Sequence, residues 1–187
     1  MSKNEALCPL LKQRYKQNPS WFNFFALLGG IFERWPELAR VPLGRHQLMK
    51  LAHKLEIEVC EARLDSYRGI SFKLGRAKRG CREQVPLDDG LTRQEAFGKI
   101  VSSYKKGARD FIFLDARLKG KERLFALAHE LAHHLLGHLD DDCTVEPYLQ
   151  ELHADLLAVF LTHQPSPYRE AEENSLLCEI AGVKKAS

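Results

Sequence analysis

From Leu124 to Leu136 the chain reads LFALAHELAHHLL, a run whose only polar members are three histidines and one glutamate. A helix this apolar all round is buried on every side, so the rest of the domain must be built around it. The polar groups go inside with it. An unpaired buried carboxylate is costly, so Glu130 requires a cation or strong hydrogen-bond donors nearby. His129 and His133 are four residues apart and therefore stack on one helix face. Two neutral imidazoles at that spacing can chelate a metal ion, with Glu130 beside it to take a proton from water that the ion activates. H-E-x-x-H is short enough to recur by chance, and a core in which these groups only hydrogen-bond one another is the plain alternative. The apolar setting favours the metal.

A catalytic zinc site usually has three protein ligands and one open position. His134 is about 100° around the helix from His133 and faces elsewhere. His138 lies about 180° from His129 and turns inward only if the helix breaks at Gly137. The pattern with glycine seven and histidine ten residues after the first histidine fails, because Leu136 and Leu139 stand there. His134 and His138 are therefore read as surface or capping residues. Glu151 fits better. A second helix is expected from about Pro147 to Thr162, capped by Thr144 or Glu146, with Leu149, Leu152, Leu156, Val159 and Phe160 facing the core. Glu151 and Asp155 share another face of it. One can bind the metal while the other accepts the free ring N–H of a ligand histidine, fixing its tautomer. A solvated acidic face is the bland alternative for this pair.

At 187 residues and 44% apolar, the chain suits one α+β domain, a small sheet of about three strands packed on several helices. Residues 1–55 read as an N-terminal helical part, 56–163 as the core and 164–187 as a helical tail. Helices are expected over residues 20–32, 46–55, 92–107 and 168–181, and strands over 57–64, 69–74 and 110–115. DFIFLD, from Asp110 to Asp115, is the clearest strand, directly before the apolar helix. A net charge of +3 is too mild to argue for direct nucleic-acid binding, and the basic run from Lys73 to Arg82 reads as a solvated loop. Five scattered cysteines without a C-x-x-C pair suit free thiols in a reducing compartment. The N-terminus lacks a signal-peptide core, and the aromatic run from Trp21 to Phe32 is too short to span a bilayer. The expectation is a cytoplasmic protein with no membrane contact.

A strand (FIFLD), then Arg123 and Phe125 leading into LAHELAHHLLGH, then ELHADLLA, resembles the ImmA/IrrE family of metallopeptidases. The specific motifs lie in residues 123–138 and 151–158, within a likeness that spans roughly 57–161. The resemblance implies a gluzincin-like fold with an edge strand beside the cleft that can pair with an extended peptide. It implies His129, His133 and Glu151 as metal ligands, Glu130 as the catalytic glutamate and Asp155 as the acid supporting a ligand histidine. It implies Zn2+, with Mn2+ as the alternative, in a metallo-endopeptidase of the gluzincin type. The substrate it implies is a DNA-binding helix-turn-helix repressor. Residues 76–107 form an insert longer than the family pattern suggests. The competing reading is a non-catalytic, zinc-containing antirepressor that sequesters its partner. Tyr104, Tyr148, His153 and His163 are the candidate donors to an oxyanion. His153 is disfavoured, because it lies about 200° from Glu151 on the same helix.

Overall fold

The computed structural model describes residues 3–62, 69–73 and 110–183. In chain order these form α1 (Lys3–Gln17), α2 (Trp21–Arg34), a 3-10 turn (Pro36–Ala39), α3 (Arg45–Lys54), β1 (Ile57–Ala62) and β2 (Gly69–Lys73). Then follow β3 (Asp110–Asp115), α4 (Gly120–Leu136), α5 (Pro147–Thr162) and α6 (Ala171–Ile180). The architecture is α+β and mainly helical, as its patterning predicts. The expected helix over 92–107 and the insert at 76–107 lie outside the described residues.

The sheet has the order β1-β3-β2, with β3 parallel to β1 and antiparallel to β2. β3 is central, and this explains its composition. Phe111, Ile112, Phe113 and Leu114 are all buried, so this strand has no polar face to show as alternation. Cys60 of β1 and Ile70 of β2 both pair with Phe113 of β3. α4 packs against β2, β3, α3 and, most extensively, α5. From Phe125 to His133 every residue of α4 is buried. The apolar run is thus the hub of the domain.

α1 has no expected helix in the periodicity, since Pro9 interrupts it and charged residues crowd its C-terminal turn. Long-range ties secure it instead. It packs along α2, Lys16 pairs with Asp140 and Asp142, and Thr144 Oγ1 donates to the Lys16 carbonyl at 2.7 Å. That last bond decides the cap of α5. Glu146, not Thr144, accepts from the Leu149 N–H. The last helix starts at Ala171 rather than Tyr168. Asn174 reaches back to the Ser166 N–H and to the carbonyls of Ser166 and Arg169, at 2.7–2.8 Å, and holds the preceding residues in a turn.

α4 stops at Leu136 because Gly137 adopts a left-handed conformation, φ 78°, which a residue with a side chain adopts only at a cost. A Cβ added there would meet Lys12 Cδ at 2.6 Å and Asp140 Oδ2 at 2.7 Å. Gly137→Ala is expected to lower stability by about 1–2 kcal/mol, read from the denaturant midpoint. A loss below measurement error would refute the strain. The four described cysteines are free thiols. No described helix is long and apolar enough to cross a membrane.

Candidate metal centre

α4 and α5 cross with the H-E-x-x-H face of one against the Glu151 face of the other. His129 Nε2 and His133 Nε2 lie 3.1 Å apart. Glu151 brings Oε2 to 3.2 Å from His129 Nε2 and Oε1 to 3.5 Å from His133 Nε2. A tetrahedral ion with bonds of about 2.1 Å needs donor–donor edges of about 3.4 Å, so these residues fit one with little movement. Both imidazoles are buried, whereas the Glu151 side chain is 56% exposed. The site is therefore closed behind the histidines and open towards Glu151. Glu130 is buried beside it.

Asp155 lies one turn beyond Glu151 and is 2% exposed. Its Oδ1 accepts the His129 Nδ1–H at 2.9 Å, which leaves Nε2 free to face the metal position. Its Oδ2 accepts from Arg169 Nε at 2.6 Å. Sequence reasoning missed Arg169. It also missed Tyr168, whose ring stands edge-on to His129 at 5.6 Å. The turn that replaces the expected start of the last helix carries both to the site.

Burial opposes a charge on His129, but hydrogen bonds to Asp155 and Glu151 and the charge of Glu130 outweigh it and raise its pKa to about 10. Burial, reinforced by the charge on His129, lowers His133 to about 4. Burial would raise Glu151, yet the hydrogen bond from His129 and the neighbouring positive charges bring it down. Without metal, His129 therefore holds a proton that His133 refuses. A carboxylate and two imidazoles converging on one point suit a divalent cation.

His134 and His138 are not surface residues. The His134 side chain is 5% exposed and sets its Nδ1 3.3 Å from Asp110 Oδ2 at the start of β3. His138 is 6% exposed. The break at Gly137 turns it inward, where it meets His133 Nδ1 at 3.0 Å rather than the metal position. Burial and the neighbouring His133 lower its pKa to about 2, so it is neutral. Of the candidate oxyanion donors, His153 is buried and bonded to Tyr15, and His163 caps the far end of α5. Tyr148 is exposed beneath the Arg169 guanidinium, and Tyr104 lies outside the described residues.

Residues 90–174 match the family model described as an IrrE N-terminal-like domain. The match starts later than the likeness read from the motifs and runs beyond it, far enough to include Tyr168 and Arg169. No curated protein and no solved structure matches the chain.

Proposed function

We propose that this chain, which carries a domain of the ImmA/IrrE metallopeptidase family across residues 90–174, is a zinc-dependent endopeptidase of the gluzincin type. The observation that supports it best is the convergence of His129, His133 and Glu151 within 4.8 Å, open on the Glu151 side. Three protein ligands with an open side are the arrangement of catalytic rather than structural zinc. When bound, zinc supplies the Lewis acidity that activates water and polarises a peptide carbonyl. Mn2+ is the alternative ion for this donor set.

The chain's own residues supply the remainder. Glu130, buried next to His129, takes the proton from the attacking water and passes it to the departing amine. Asp155 keeps the His129 ring hydrogen on Nδ1, and Arg169 Nε donates to the other carboxyl oxygen of Asp155 and fixes its orientation. The substrate we propose is an intracellular helix-turn-helix repressor, on the strength of the resemblance; nucleic acid would then be contacted by the substrate and not by this chain.

Glu130→Gln tests the reading. The variant is expected to retain stoichiometric zinc by elemental analysis and to cleave a co-expressed repressor about 10²–10⁴-fold more slowly than wild type. Undiminished cleavage would sink the role of Glu130. Wild-type binding without cleavage by either form would favour sequestration of the partner instead.

A further inference from the structure

We propose that His138 and Tyr15 are positioning residues for His133, so that the N-terminal helix belongs to the metal centre. The inference rests on the reading of His133 as a ligand. His133 Nδ1 lies 3.0 Å from His138 Nδ1. The other nitrogen of His138, Nε2, lies 2.9 Å from the Tyr15 hydroxyl. That hydroxyl is in turn 2.8 Å from His153 Nδ1 on α5. Tyr15 is fully buried, and His138 and His153 nearly so.

The hydrogens on this chain have one arrangement compatible with a metal. A histidine that binds through Nε2 carries its hydrogen on Nδ1. His133 Nδ1–H then donates to His138 Nδ1, which forces the His138 hydrogen onto Nε2. His138 Nε2–H donates to the Tyr15 oxygen, and the Tyr15 O–H donates to His153 Nδ1. Every link has one donor and one acceptor, and no group on the chain is charged. Reversing the order would put the His133 hydrogen on Nε2 and block the ligand. The two ligand histidines are thus supported differently. His129 is held by a carboxylate on the neighbouring helix, His133 by a neutral relay that ends on α1.

Aromatic packing fixes the far end. Phe24 stacks on the His153 ring at 4.3 Å and 14°, and Trp21 meets it edge-on at 5.1 Å. α2 therefore closes over the terminus of the relay and keeps its acceptor in place. A plain polar cluster filling the core would show the same contacts but would leave metal affinity unmoved when cut.

The test uses the full chain, zinc alone as probe and competition with a chromophoric chelator. His138→Leu is expected to weaken zinc binding by about 10–100-fold. His138→Asn sets a carbonyl oxygen in place of ring Nδ1 and should recover most of that loss. Tyr15→Phe cuts the second link and should weaken binding by a smaller factor. In the zinc-loaded wild type, ring 15N shifts should show His133 protonated at Nδ1. Wild-type affinity in both His138→Leu and Tyr15→Phe, with binding abolished in His133→Ala, would overturn the relay and leave the ligand assignment standing. Undiminished binding in His133→Ala would overturn both. Should His138→Leu fail to fold, a His133 hydrogen found on Nε2, or unchanged affinity in Tyr15→Phe, overturns the proposal.

Discussion

Asp155→Ala is expected to lower the stability of the protein by about 3–5 kcal/mol and to weaken its hold on zinc by about 10–100-fold. Two groups depend on this one buried carboxylate. Truncation leaves the Arg169 guanidinium, 10% exposed, with Glu173 at 3.8 Å as its remaining ion-pair partner among the described residues. It also leaves the His129 Nδ1–H without its acceptor. Removing one partner from a buried pair costs more than the pair contributes, because the survivor's charge stays uncompensated. Asp155→Asn keeps an oxygen for His129 but sets its NH2 against the Arg169 Nε–H, so it should spare most of the zinc affinity while still costing stability. Denaturant midpoints and chelator competition read both effects. A loss under about 1 kcal/mol for Asp155→Ala would contradict the burial and pairing described.

The second large effect is on pH. The metal-free protein is expected to be most stable near pH 6.5 and to lose stability on both sides. On the acid side three histidines are buried neutral. Burial lowers His133 and His153 to about 4 and His138 to about 2, against 6.5 in the unfolded chain. As pH falls below 6.5 the unfolded chain takes up protons that the folded chain refuses. Stability then drops by up to about 1.4 kcal/mol per pH unit for each histidine. On the alkaline side His129, raised to about 10, keeps a proton that the unfolded chain releases above 6.5. Its contribution is complete below pH 6.5 and is lost as pH rises through 10. Zinc replaces that proton, so with metal bound the alkaline decline should vanish and the acid decline steepen. Unfolding midpoints from pH 4 to 10, in chelator and in zinc, test this. A flat acid limb without metal would show that the histidines are hydrated.

Much of the centre is legible in residue spacing because helix geometry is local. His129 with His133, and Glu151 with Asp155, are each four apart, and the helix alone puts each pair on one face. What spacing does not carry is where a helix ends and what arrives from elsewhere. A continuous helix would place His138 opposite His129. The structure departs from that at one dihedral, that of Gly137. Arg169 was hidden because helix-forming residues run on from Tyr168, and the Asn174 bonds that hold those residues in a turn leave no periodic trace. Tyr15 was hidden because its partners His138 and His153 lie far along the sequence, where spacing carries no signal.

The turn at residues 166–169 and the docking of α1 together determine when the centre can exist. The proposed metal donors, and Glu130 with them, lie between residues 129 and 151. A fragment of residues 56–163 would therefore carry the full chemical complement and still lack Arg169 and Tyr15. During synthesis the donors emerge well before Arg169 does. On the proposed reading, full zinc affinity is expected only once Arg169 has joined Asp155, and a chain truncated before Arg169 is expected to bind zinc more weakly.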